Sequence, residues 1–127
     1  MSVRTLLRRA SQDASGATAL EYALVLPILI TSIMGAIWTG ILMLAFSSME
    51  MSAQSAARCA AVNASQCGSP SAVQAFAEAR YAGPNISPVF TLSATGCGHT
   101  VTGQANFDLA IVPGVGSVPI SVSACYP

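Results

Sequence analysis

Apolar residues fill one long segment near the N-terminus of this chain. No charged side chain occurs over the 28 residues 22–49, and residues 24–46 are dense in Leu, Ile, Val, Met and Ala. A helix needs about 20 apolar residues to cross a bilayer, whereas the apolar core of a secretory signal has only about 7 to 15. The pattern therefore predicts a transmembrane helix over residues 17–46, with the membrane as its first partner.

The helical pattern continues beyond the apolar segment. A narrow apolar stripe recurs at helical spacing, so we expect the helix to extend to about Val62. The stripe consists of Met49, Ala53, Ala56 and Ala60.

A second, shorter helix has clear start and stop signals. Ser69 is a capping residue type, and Pro70 suits the first helical position. The alanine-rich run that follows ends at Ala82, where Gly83 and Pro84 stop a helix. The sequence therefore predicts a helix from Pro70 to Ala82.

The last third of the chain alternates between apolar and polar residues, which is typical of half-buried strands. Residues 99–109 alternate with little error, and residues 117–124 do the same after the turn-forming segment 113–116. We expect these two strands to pair as antiparallel neighbours, with a shorter third strand at 89–93. The predicted fold class is α+β: a long N-terminal transmembrane helix, a second short helix and a small antiparallel sheet of two to three strands tied by disulfides.

Charge is scarce and unevenly placed along the chain. Only ten side chains are charged, they sum to zero and lysine is absent, so nucleic-acid binding lacks an electrostatic basis. Three arginines and one acid precede the apolar segment, which by the positive-inside rule predicts a cytoplasmic N-terminus. We expect a cytoplasmic leader at 1–16, the membrane helix at 17–46 and an exported domain at 47–127.

All four cysteines follow the apolar segment and so lie on the predicted non-cytoplasmic side, where disulfides persist. Four cysteines allow three pairings; proximity favours Cys59 with Cys67, and Cys97 with Cys125. Eight residues of unbroken helix would separate the first pair by about 12 Å, too far for a disulfide. We therefore expect a break in the helix near residues 63–66.

Residues suited to catalysis are few in the predicted exported domain. It contains one histidine, His99, which together with Cys97 supplies two metal ligands without the second pair of a closed zinc site. We therefore expect no enzymatic activity, no metal or other cofactor and no small-molecule substrate. Arg58 and Arg80 are interpreted as solvated surface residues.

One acid stands at the edge of the apolar segment. A carboxylate costs about 2.5 to 3.5 kcal/mol at the centre of a membrane helix and less near the interface, so Glu21 needs a positive partner.

Gly16 and the adjacent pair Glu21 and Tyr22, set between a basic leader and a long apolar helix, resemble the N-terminal signature of TadE-like pseudopilins. These are minor pilin-like proteins of bacterial tight-adherence (Tad/Flp) pilus systems. The resemblance implies cleavage by a prepilin peptidase between Gly16 and Ala17, and a role for Glu21 and Tyr22 in charge pairing and assembly. Such cleavage would free an α-amino group on Ala17, four residues before Glu21 on the same helix face. Because glycine lacks a side chain, the backbone at Gly16 can lie extended in a protease cleft.

The same resemblance implies partners and a location. The partners are the prepilin peptidase, other pilins or pseudopilins and the Tad inner-membrane assembly platform. The location is the bacterial inner membrane, with the N-terminus cytoplasmic and a pilin-like domain in the periplasm; incorporation into an extracellular pilus is left open.

The rival interpretation is a membrane-tethered periplasmic binding module, in which the helix is a plain anchor and Glu21 snorkels to the cytoplasmic interface. A Glu21→Ala variant separates the two, because only assembly depends on the carboxylate. The role of a group of small residues within the apolar helix is equally open. These residues either let another helix approach closely or simply face lipid. These residues are Gly35, Ala36, Thr39 and Gly40.

Overall fold

The computed structural model describes residues 14–108 and 116–127. Parts of three predicted elements lie outside the described residues. These parts are the leader as far as Asp13, residue 109 at the end of the predicted strand 99–109, and residues 113–115 of the predicted turn. The helices are α1 (Ala14–Val62), α2 (Ala64–Cys67) and α3 (Pro70–Arg80), and the strands are β1 (Val89–Thr95), β2 (Gly98–Asp108) and β3 (Ser117–Tyr126). These elements confirm the predicted α+β class.

Helix α1 is a single helix of 49 residues that continues through Pro27, about 74 Å long at 1.5 Å per residue. Packing divides the chain between Thr39 and Gly40, and we call Gly40–Pro127 the head. Only 6 % of the most apolar 18-residue window of α1 is buried. A core helix of a soluble protein would be mostly buried, so α1 is of a length and composition suited to crossing a membrane. The membrane boundary after residue 46 stays a prediction.

Within the head, the predicted apolar stripe of α1 is buried. The exposed fraction is 0 % for Met49, Ala53 and Ala56 and 6 % for Ala60. Ser52 is also buried, and its hydroxyl donates to the carbonyl of Ser48 at 2.8 Å, so no polar group is left unpaired there. Alanine-sized side chains let the neighbouring elements approach the α1 backbone closely.

The predicted break in the helix falls at Asn63. The Asn63 amide still donates to the Cys59 carbonyl at 2.8 Å, but its own φ of −131° and ψ of 70° end α1. The chain then forms the four-residue helix α2, which the sequence did not predict, and Cys67 returns to within 5.7 Å of Cys59 between Cα atoms. The turn therefore gives the geometry that a disulfide requires.

Helix α3 begins as predicted and ends earlier. The Ser69 hydroxyl accepts a hydrogen bond from the Ala72 amide at 3.2 Å, and Pro70 occupies the first turn. The predicted end at Ala82 is wrong by two residues, because Tyr81 is already extended with ψ of 117°. The Ala82 amide instead donates to the Ser48 hydroxyl of α1 at 2.9 Å, so a tertiary contact replaces the last helical turn.

The three strands form one antiparallel sheet in the order β1-β2-β3. The predicted pairing of the last two strands is confirmed, with Phe107 opposite Val118 and Val101 opposite Ala124. Strand β1 extends to Thr95, two residues beyond the prediction. One face of the sheet is buried, and its best-covered side chains are Phe90, Val101, Phe107, Ile120, Val122 and Ala124.

The sheet and the helices of the head are joined through several contacts. The backbone amide of Phe90 in β1 donates to the side-chain carbonyl of Gln74 in α3. Strand β3 and the head part of α1 line two common grooves. Val118 and Phe46 line one groove, and Cys125 and Arg58 line the second. The head thus encloses one core between the second part of α1, α3 and the buried face of the sheet.

Candidate functional site

Gly16 lies in the first turn of the described part of α1. It is exposed, and a Cβ atom placed there would meet nothing within 4 Å. The bond from Gly16 to Ala17 is therefore helical, and this turn must unwind before a protease can bind it as an extended strand. Glycine costs a helix about 0.5 to 1 kcal/mol relative to alanine, which makes Gly16 a favourable place for that unwinding.

Glu21 and Tyr22 follow on the next turn of the same helix and are both exposed, Tyr22 to 75 %. The axial rise from Ala17 to Glu21 is about 6 Å, and the two positions share a helix face. Glu21 forms no ion pair with any residue in 14–108 or 116–127. The structure therefore leaves its carboxylate free for a partner that the described chain does not supply.

The surface around and after Glu21 is apolar and uncovered. Leu24 and Ile28 are 66 % and 67 % exposed. The polar side chains of this segment turn inward to the helix itself: the Thr39 hydroxyl donates to the Gly35 carbonyl at 2.8 Å, and the Thr31 hydroxyl to the Pro27 carbonyl at 3.0 Å. Such bonding satisfies a hydroxyl without water, so this part of α1 is suited to lipid or to another helix.

Two disulfides hold the head together. The helix disulfide joins Cys59 to Cys67, and the strand disulfide joins Cys97 to Cys125 with 6.4 Å between Cα atoms; this is the pairing that proximity favours. The strand disulfide ties the residue before β2 to the end of β3, which closes the open end of that strand pair. It also engages the thiol of Cys97, so this cysteine cannot act with His99 as a metal ligand.

Within residues 14–108 and 116–127, no three His, Cys, Asp or Glu side chains come together as a group able to hold a metal ion. The predicted site residues form two separate sets: those of the N-terminal turns of α1, and the four cysteines of the head. Arg58 and Arg80 line one cleft in the structure, which the sequence did not predict.

A comparison with known families matches the segment that contains the predicted N-terminal site residues. Residues 16–58 match the family model described as TadE-like protein. Over this segment the chain is similar to TadE-like proteins. The TadE-like match begins at Gly16, contains Glu21 and Tyr22, and ends within the buried stripe of α1. It supports a membrane-associated component related to Tad pilus systems. No curated protein and no solved structure matches the chain.

Proposed function

We propose that this chain is a minor pseudopilin of a Tad-type (type IVc) pilus or secretion system, made as a precursor that a prepilin peptidase cuts after Gly16. The observation that carries the proposal is the TadE-like match over residues 16–58, which begins at the glycine and includes Glu21. Cleavage leaves Ala17 as the N-terminus of a mature chain of 127 − 16 = 111 residues. The head is then the periplasmic domain, and the protein has no enzymatic role.

Cleavage supplies the charge that Glu21 needs. The new α-amino group of Ala17 is positive at neutral pH and lies one helical turn before the carboxylate. At 4 Å and an effective dielectric constant near 20, the attraction between the two charges is about 4 kcal/mol before the cost of desolvation is subtracted. The amine of one subunit pairs with its own Glu21 or with that of a neighbour.

Cleavage also removes charges that hold the helix in place. The leader carries Arg4, Arg8 and Arg9, and an arginine is costly to move through the bilayer. Without them, the apolar part of α1 is free to leave the membrane and pack against other pilin or pseudopilin helices. The exposed apolar side chains between Leu20 and Ile37 support this role, because nothing in the described chain covers them.

The first experiment measures the mature N-terminus. Intact-mass analysis and N-terminal sequencing of membrane-extracted protein should find Ala17 first in cells with an active prepilin peptidase. A Gly16→Val variant should remain uncut, whereas the control Gly35→Val, in the same helix, should be cut normally. A chain that still starts at Met1 beside an active peptidase, or one that starts beyond residue 46, would contradict the proposal.

The second experiment separates assembly from simple anchoring. A Glu21→Ala variant should insert normally and fail to support pilus assembly. The matched control is Glu50→Ala, which removes another exposed acid of α1, one that accepts only a long hydrogen bond of 3.4 Å from Gln54. Assembly that is unchanged in Glu21→Ala would instead favour the tethered periplasmic binding module.

A further inference from the structure

A cleft of about 340 Å³ lies between α1 and α3 in the head, and both described arginines line it. Arg58 comes from α1 and Arg80 from the last residue of α3. The Arg80 guanidinium lies 4.8 Å from the centre of the Phe76 ring, a cation–π contact between two residues of the cleft lining. The remaining lining is neutral: Ser55, Cys59, Val62, Asn63, Gln66 and Phe76.

No carboxylate balances these two charges. Glu50, Glu78 and Asp108 are the acids of the described head, and none of them lines the cleft. Glu78 accepts a hydrogen bond from Gln74 on its own helix. Neither arginine forms an ion pair with a residue in 14–108 or 116–127, so the cleft presents two uncompensated guanidinium groups.

The net charge of the cleft corresponds to one singly charged ligand group. Helices α1 and α3 both contribute their C-terminal turns, and the dipole of each helix places about −0.5 charge at that end. Two arginines and two such ends leave about one positive charge. A carboxylate matches this value, whereas a phosphate monoester carries about −1.5 to −2, and the one helix N-terminus in the described lining is that of the four-residue α2, which begins after Asn63.

The neutral lining fits an acidic side chain carried on a peptide. Val62 is 70 % exposed and, with the Phe76 ring, offers apolar surface to the methylene groups of a glutamate. The Asn63 side-chain NH2 donates to the Gln66 side-chain carbonyl at 3.2 Å, which leaves the NH2 group of Gln66 to donate to a peptide carbonyl beside the glutamate. The helix disulfide fixes this wall of the cleft, because Cys59 belongs to the lining and Cys67 follows Gln66.

We propose that Arg58 and Arg80 form a docking site for a carboxylate side chain, glutamate in particular, of a protein partner. The planar guanidinium group binds a carboxylate through two parallel hydrogen bonds. The site is separate from the N-terminal turns of α1 and acts in the head whether or not the leader is removed.

The test uses the full chain in nonionic detergent micelles. The chain has five arginines and no lysine, so the arginine Nε–H signals form a small set that NMR can resolve. Titration with the peptide acetyl-Gly-Glu-Gly-amide should move the signals of Arg58 and Arg80 together, with one dissociation constant, and leave the leader arginines unmoved. The peptide with Gln in place of Glu should move none.

Four variants test whether Arg58 and Arg80 form the binding site. Arg80→Gln should weaken the response of Arg58 at least tenfold, and the control Arg4→Gln should leave the dissociation constant within twofold. Ser55→Glu keeps both arginines, adds a carboxylate to the cleft and should abolish binding. The matched variant Ser71→Glu adds the same charge outside the cleft and should not.

Three results would overturn the proposal. The first is a parallel shift of all five arginine signals, which means unspecific ionic attraction. The second is a different dissociation constant at Arg58 and Arg80. The third is tighter binding of inorganic phosphate than of the glutamate peptide at these two residues, which would make the cleft a phosphate site.

Discussion

Replacing Gly103 by alanine should loosen the head, because this position has no room for a side chain. Gly103 lies in β2 between its cross-strand partners Phe90 and Val122. A Cβ atom there would be 2.8 Å from Phe90 Cε1 and 3.0 Å from Val122 Cγ2, whereas carbon atoms in contact prefer about 3.5 to 4.0 Å. Phe90 and Val122 are only 2 % and 5 % exposed, so neither side chain moves away freely.

The expected loss is modest and measurable. Overpacking a core costs about 1 to 3 kcal/mol, and replacing glycine returns about 0.4 to 1 kcal/mol through the unfolded chain. The difference is about 0 to 2.6 kcal/mol, and we expect the Gly103→Ala variant to lose about 1 kcal/mol of unfolding free energy, near the middle of that range. For a unit of this size, 1 kcal/mol corresponds to about 4 to 8 °C in the midpoint of thermal unfolding.

Amide hydrogen exchange of β2 in the full chain measures the effect directly, because the long helix α1 dominates bulk spectroscopic signals. The control is Gly96→Ala, where an added Cβ atom meets nothing within 4 Å and protection of β2 should not fall. In a Phe90→Leu background, the cost of Gly103→Ala should shrink because the ring is gone. Equal protection of β2 in Gly103→Ala and the parent protein would refute the packing argument.

Three further changes test the rest of the head. Loss of the strand disulfide, with its sequence separation of 28, should cost about 3.6 kcal/mol by the chain-entropy relation, seen as a lower denaturant midpoint; an unchanged midpoint would contradict it. Ser69→Ala removes the cap on the Ala72 amide and should cost about 1 kcal/mol, seen as faster exchange in α3, whereas Ser71→Ala should not. Burial raises the pKa of Tyr81, so unfolding free energy should fall as pH rises above about 10, where the unfolded phenol ionises first. Tyr81→Phe should flatten that fall and lose about 0.5 to 1.5 kcal/mol at neutral pH, the value of the hydrogen bond to the Pro84 carbonyl.

The features that the sequence predicted well are those set by local periodicity. The buried stripe of α1 follows the helical spacing of Met49 and Ala53, and the pairing of β2 with β3 follows the alternation that places Val101 opposite Ala124. The helix break near Asn63 came from a distance limit, because a disulfide cannot span eight helical residues. In each case, residues that lie near one another in the sequence determine the local structure.

The features that the sequence missed depend on contacts between distant residues. Helix α3 stops at Arg80 because the Ala82 amide bonds to Ser48, 34 positions earlier, and no local signal marks that contact. The same holds for the cleft: Arg58 and Arg80 are ordinary surface arginines in the sequence, and only the fold of α3 against α1 places them on one cleft. Two arginines that line one cleft without an acid beside them can be recognised only from the three-dimensional structure.

The composition of α1 explains why Glu21 must find its partner outside the described chain. In the head, α1 turns alanine-sized side chains inward and buries them, as at Ala53 and Ala56. Before Gly40 the same helix carries large apolar side chains, such as Leu24 and Ile28, that no described residue covers. Burial of these side chains requires a membrane or other helices, and both surroundings make an unpaired carboxylate costly. A positive group one turn away, created only by cleavage after Gly16, would make the acid compatible with both surroundings, and would link the packing of the helix to the removal of its leader.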